Sequence, residues 1–267
     1  MTPWREYIII FSVNSIGGNV MSKLSKGKNI RIALCVIIAL AIVVCGCAVY
    51  LCDYYQADDD AISAYIPAGS LSVSERDGRL SIEPMDATKG FIFYPGGKVE
   101  HTAYLPLMYE CAQRGILCVL LPMPFNLAVL DINAAEGIRE EYPHIREWYI
   151  GGHSLGGSMA ATYLARHSDE YQGLVLLGSY STADLSATDL CVISIYGSED
   201  GVMNREKYEK YKPNLPGNLT EIVIDGGNHA YFGMYGEQDG DGVPAISNRE
   251  QICITVDSIV NIICQMD

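Results

Sequence analysis

The chain has 267 residues, 49% of them hydrophobic, and a net charge of −14 from 18 basic and 32 acidic side chains. The charge is uneven: residues 1–52 hold Arg5, Lys23, Lys26, Lys28 and Arg31 against Glu6 alone, which leaves 13 basic and 31 acidic groups, a net of −18, on the remainder. That acidic remainder repels phosphate backbones and so excludes nucleic acid as a partner, while its 215 residues suffice for one domain with a full core.

Taken in chain order, the first strong signal is the apolar run Ile30–Cys52. After Arg31 it carries no charge for 21 residues, long enough to cross a bilayer as a helix. Basic residues precede it, and Asp53 and Asp58-Asp59-Asp60 follow it, so the positive-inside rule puts the N-terminus in the cytoplasm and the rest of the chain outside. A cleaved signal peptide fits less well, because the run is long and Ala48-Val49-Tyr50 is a poor small-x-small cleavage site. A lipoprotein site at Cys47 lacks the leucine usually expected three positions upstream, and Met21 makes a natural start for an anchor with a basic leader. The expected organisation is a cytoplasmic basic leader over 1–29, a transmembrane helix over 30–52, an acidic stalk with an edge strand over 53–79, and a catalytic domain over 80–267.

Beyond the stalk, strand-like and helix-like runs alternate. Strands are expected at Leu80–Glu83, Gly90–Tyr94, Ile116–Leu121, Glu147–Gly151, Gly173–Leu177, Cys191–Tyr196 and Thr220–Ile224. The central ones are continuous apolar runs, as in parallel strands buried on both faces. Helices are expected at Ala103–Arg114, Asn133–Glu141, Leu155–Arg166, Arg205–Lys210 and Glu250–Cys264. The alternation predicts an α/β fold, a doubly wound and mostly parallel sheet, with its chemistry at the carboxyl ends of the strands. Of nine cysteines, four lie in the apolar segment or at its end; Cys111, Cys118, Cys191, Cys253 and Cys264 lie in apolar runs with no C-x-x-C spacing, as buried free thiols do.

Residues 151–157 read Gly-Gly-His-Ser-Leu-Gly-Gly, between the strand-like Trp148-Tyr149-Ile150 and the helix-like run from Met159. Gly152-His153-Ser154-Leu155-Gly156 fits G-x-S-x-G in the strand–turn–helix context that exposes a serine as nucleophile. Serine needs a base, and only His167 and His229 lie downstream. His167 ends the helix after the elbow, at the wrong end of the domain. His229 follows the last strand in a Gly-rich loop, where a general base belongs, and His153 reads as packing. Asp200, after Val192–Tyr196, is the candidate acid; Glu199 adjoins it, and Asp225 lies only four residues before His229. The oxyanion hole requires two backbone N–H donors, Leu155 and a residue of Pro95-Gly96-Gly97-Lys98, with Gly97 assigned and Lys98 as the alternative. Asp239-Gly240-Asp241-Gly242 opens a twelve-residue window ending at Glu250, but Val243 and Pro244 at its fifth and sixth positions make it a solvated turn rather than a calcium loop.

Tyr94-Pro95-Gly96-Gly97-Lys98, Gly151–Gly157, Gly197-Ser198-Glu199-Asp200 and Gly226-Gly227-Asn228-His229-Ala230 occur in one order, and with them the stretch from about Leu80 to Cys264 resembles the α/β-hydrolase superfamily. Within it the chain is similar to small bacterial hydrolases related to dienelactone hydrolase and to compact carboxylesterases. The resemblance implies a Ser-His-Asp triad of Ser154, His229 and Asp200, no cofactor, no metal, and acyl transfer from a small-molecule acyl substrate. Tyr94-Pro95 stands where His-Gly begins the oxyanion loop of many lipases. About a dozen residues between Leu177 and Cys191 leave little room for a lid, which argues against long-chain lipase action. Dienelactone hydrolase itself uses a cysteine nucleophile, so its substrate does not carry over.

Overall fold

The structure, a computed structural model, describes residues 7–67, 69 and 72–264. The first six residues of the expected leader lie outside the described residues, as do the side chains of residues 7–29 and of Cys264. The chain divides into two units, Met1–Asp53 and Tyr54–Asp267. In the first, helix α1 runs over Tyr7–Cys52, and its segment Ile30–Cys52 is long and apolar enough to cross a membrane. The apolar side chains of that segment, such as Ile37 and Val43, are exposed.

The second unit is built on eight strands: β1 Val73–Arg76, β2 Arg79–Ile82, β3 Lys89–Tyr94, β4 Ile116–Leu120, β5 Glu147–His153, β6 Gly173–Leu177, β7 Cys191–Gly197 and β8 Thr220–Ile224. They form one sheet in the order β1-β2-β4-β3-β5-β6-β7-β8. β1 pairs antiparallel with β2, and β2 with β4; every later pairing is parallel. The apolar runs explain the order. β3, β4, β6 and β7 are buried along their whole length, whereas β8, at the edge, alternates exposed and covered residues.

Successive residues of a strand face opposite sides. Phe91 and Phe93 join a core cluster with α3 (Leu105–Gln113) and α7 (Asn248–Cys264), and Ile92 and Tyr94 join one on the other face with α5 (Leu155–Leu164). Helix α6 spans Arg205–Tyr211. Among the described residues the cysteines are free thiols, with Cys111, Cys118 and Cys191 buried.

Two expectations are corrected. The segment expected as a stalk lies against the domain. Asp58 caps a short helix, α2 (Asp59–Tyr65), by accepting Ala61 N–H, and Asp59 and Asp60 sit in its first turn, where the helix dipole favours acids. Ile62 and Tyr65 are buried, and Asp58 N–H donates to Met234 O. The helix expected over Asn133–Glu141 is only a single turn, α4 (Ile138–Glu141). Gly137 adopts a left-handed φ of 79°, and Ala135 N–H bonds the Tyr94 hydroxyl instead of a helical carbonyl.

Candidate active site

The carboxyl ends of β5, β7 and β8 carry Ser154, Asp200 and His229. At the end of β5 the chain turns sharply into α5, and Ser154 holds φ 53°, ψ −121°, a conformation L-residues avoid. It is held there from both sides. Its N–H donates to Leu177 O at 2.9 Å, and its carbonyl accepts from the Ser179 hydroxyl at 2.6 Å. Gly156 is required at this turn, because a side chain there would overlap the carbonyl oxygens of Tyr94 and Pro95.

His229 is 1% exposed, and its Nδ1–H donates to Asp200 Oδ2 at 2.8 Å. An ionised carboxylate only accepts, so this contact fixes the proton on Nδ1 and leaves Nε2 as the ring nitrogen able to accept one. The second Asp200 oxygen accepts Met203 N–H at 2.8 Å and Val202 N–H at 3.0 Å. Burial pushes the Asp200 carboxyl up, but the His229 hydrogen bond and charge, with those two N–H groups, outweigh it and hold the group below the ordinary carboxylate range. His229 Nε2 is buried and has no hydrogen-bond partner among the described residues, so the Ser154 hydroxyl does not hydrogen-bond it here. Such contacts commonly tighten only once substrate is bound.

Of the alternatives to Asp200, Glu199 is exposed and accepts from the Ser198 hydroxyl, and Asp225 is exposed. His167 lies beyond α5, stacked on Tyr163 and bonded to Glu170.

The loop after β3 is pinned on both sides of Gly97. Gly96 N–H donates to the Tyr104 hydroxyl at 3.1 Å, and Lys98 N–H donates to Asn126 O at 2.7 Å. The second bond rules out Lys98 as an oxyanion donor. The N–H of Gly97 has no acceptor among the described residues, and the N–H of Leu155, the first residue of α5, has none within its helix. The two residues touch: a Cβ on Gly97 would stand 3.2 Å from Leu155 Cβ.

His153 packs inside the domain. It is 1% exposed, and burial, then the neighbouring His229, push its imidazole well below the usual histidine range. Tyr104, whose hydroxyl accepts from Gly96, donates to His153 Nδ1 at 2.8 Å, so this neutral ring ties the Ser154 turn to the loop after β3. Neither Tyr104 nor Ser179 stood out in the sequence, because each acts through one hydroxyl on distant backbone.

Burial also lowers His101. Both imidazoles take up protons less readily in the folded state than in the unfolded one, where they titrate near pH 6.5. Stability is therefore full above about pH 6.5 and declines as pH falls below it, by about 1 kcal/mol per pH unit per histidine until each protonates. Denaturant melts at pH 5 and pH 7 of wild type and of a His153→Gln variant measure this, and the variant should show the shallower slope.

Gly178 supports the pair from β6. Its φ is +49°, and an added Cβ would lie 2.9 Å from His229 Nδ1 and 3.1 Å from Asp200 Oδ2. Gly178→Ala should lower kcat about 100-fold by displacing the imidazole, with a smaller fall in the unfolding temperature, as activity assays and thermal melts would read.

A cavity of about 250 Å³ opens beside Ser154, lined by Leu155, Ser158, Ser179, Tyr180 and Met203 among others. The segment from Gly178 to Leu190, between β6 and β7, contains no helix. Among the described residues no group of three or more His, Cys, Asp or Glu side chains is placed to hold a metal ion.

Comparison with known proteins agrees with this fold. No significant match is found among curated protein sequences. Among solved structures the fold is similar to a predicted CIB-like hydrolase from Thermoplasma acidophilum (TM-score 0.52, 15% identity, covering 72% of this chain and 100% of that one). It is similar to a dienelactone hydrolase from Anabaena variabilis (TM-score 0.53, 13% identity, 72% and 96%). It also resembles Est1E from Butyrivibrio proteoclasticus, solved with ferulic acid bound (TM-score 0.51, 12% identity, 72% and 99%). Residues 90–253, more than half of the chain, match the model of the alpha/beta hydrolase family, and the chain belongs to that family.

Proposed function

We propose that the protein is a membrane-anchored serine hydrolase that cleaves esters of a small or medium acyl group, with Ser154 as nucleophile, His229 as base and Asp200 as the acid that orients it. The observation that carries this reading is the buried His229–Asp200 contact, with Nε2 unpartnered and the His229 ring 4.3 Å from that of His153, the residue before the strained Ser154 turn. Ser154 attacks the acyl carbonyl as His229 Nε2 takes its proton. The imidazolium formed is stabilised by Asp200 and then delivers the proton to the leaving alcohol. The oxyanion is held by the N–H groups of Leu155 and Gly97. Water, activated by His229 in turn, releases the acid and restores Ser154.

The cavity of about 250 Å³ and the absence of a helix between β6 and β7 favour short acyl groups and an open site. The net charge of −18 beyond residue 52 disfavours polyanionic substrates. The exposed apolar segment Ile30–Cys52 is the proposed anchor, with the leader cytoplasmic and the catalytic domain outside.

The test is hydrolysis of acetyl, butyryl and octanoyl p-nitrophenyl esters and of the matching anilides by the full chain in detergent, beside Ser154→Ala. Ester turnover that falls with chain length and is lost in the variant is expected. Turnover of anilides alone would overturn ester specificity, and equal rates in the two proteins would overturn the nucleophile. Protease digestion of intact cells, with cleavage beyond residue 52 expected, tests the orientation.

A further inference from the structure

The Asp239–Gly242 turn, set aside in the sequence as a failed calcium loop, meets the candidate active site. Asp241 Oδ1 accepts His229 N–H at 3.1 Å, Gly201 N–H at 3.1 Å and Gly242 N–H at 2.9 Å, while Oδ2 accepts Ala230 N–H at 2.8 Å. One carboxylate thus bonds the base, the residue after the base and the residue after the acid. These loops leave different strands, β7 and β8. Direct backbone bonds join them only up to Ser198 N–H to Ile224 O and Glu199 N–H to Gly227 O. Beyond that point, where Asp200 and His229 must face one another, the backbone bonds pass through Asp241.

We propose that Asp241 is a positioning residue, whose carboxylate sets the distance and angle between Asp200 and His229. The inference rests on the hydrolase reading above. Asp241 makes no hydrogen bond to the imidazole ring among the described residues; its oxygens accept from backbone N–H groups. Charge-assisted bonds of this kind are shorter and stronger than neutral ones, and four on a single group leave the two loops little freedom. Its loss frees three N–H groups at the two triad loops, and a displacement of about 1 Å at such a place costs about 100-fold in rate.

The test is steady-state kinetics of the full chain in detergent on p-nitrophenyl acetate, for wild type, Ser154→Ala, Asp241→Ala, Asp241→Asn and Asp239→Asn. Asp239 is an exposed carboxylate on the same turn and serves as control. Asp241→Ala should lower kcat about 100-fold with KM within about threefold, and Asp239→Asn should match wild type. Formate should restore about tenfold of the lost rate in Asp241→Ala, saturably, because it replaces the missing acceptor; a merely structural loss would not respond. Should Asp241→Ala fail to fold, Asp241→Asn decides, since it keeps one acceptor oxygen and should lose about tenfold in kcat. A kcat within twofold of wild type in either Asp241 variant, or a loss that formate leaves untouched in a folded Asp241→Ala, overturns the proposal. If wild type and Ser154→Ala do not differ, the hydrolase reading fails instead; where they differ, the Asp241 variants judge this inference alone.

Discussion

Ser154→Ala is expected to lower kcat on an activated ester by a factor on the order of 10⁶, while the unfolding temperature stays within about 2 °C of wild type. The two halves of that result have separate causes. The rate loss follows from removing the oxygen that must form the acyl intermediate, since its neighbours can position a substrate but cannot replace that bond. The unchanged stability follows from the backbone. Ser154 sits at φ 53°, and alanine carries the same Cβ in the same strained turn. The serine hydroxyl makes no hydrogen bond among the described residues, so nothing else is lost. Ser154→Gly separates the two effects further: it should be equally inactive yet more stable by up to about 1 kcal/mol, because glycine adopts positive φ without a Cβ clash. Kinetics and thermal melts on the same three preparations check this. Residual turnover above about 1% in Ser154→Ala would place the nucleophile elsewhere.

Asp200→Asn should cost about 10⁴-fold in kcat with little change in KM. The substituted oxygen can still accept Met203 and Val202 N–H, so the loop geometry survives. The amide nitrogen then faces His229 Nδ1 and donates to it. That contact reverses the tautomer: the proton moves to Nε2, toward Ser154, where an acceptor is required. The same variant reports on acid stability. Asp200 is held below its ordinary value of 3.8, so its ionised form stabilises the fold above about pH 4, and that contribution is lost as pH falls through and below the lowered value. Asp200→Asn should therefore be less stable at pH 7, by about 2 kcal/mol for a buried charged hydrogen bond, and should show a weaker dependence below pH 4. A kcat within tenfold of wild type would remove Asp200 from the account.

The sheet was legible because its strands are short apolar runs closed by glycine or polar residues. Gly173–Leu177 and Thr220–Ile224 have the same limits in sequence and structure. That Ser154, Asp200 and His229 would lie at one edge of the sheet was legible, because each comes within five residues of the carboxyl end of a strand, and strand ends in such a sheet point to one edge. Features that depend on distant partners were not. The acidic residues after Cys52 read as a stalk, yet Asp58 caps a helix and bonds Met234, which local pattern does not encode. Asn133–Glu141 has helical composition, but the Tyr94 hydroxyl takes Ala135 N–H and Gly137 turns left-handed. Asp241 was noticed for its spacing, but its role depends on two loops that reach it only in the folded chain. The apolar segment Ile30–Cys52 was read with the same limits, but the helix that contains it begins at Tyr7.

The most direct test of the central claim is peptide mapping of the full chain after reaction with a fluorophosphonate, which bonds only to an activated serine. A single adduct on the peptide holding Ser154 in wild type, absent from Ser154→Ala and formed far more slowly in His229→Ala, is the predicted result. No adduct on folded wild type, or an adduct that persists in Ser154→Ala, would contradict it.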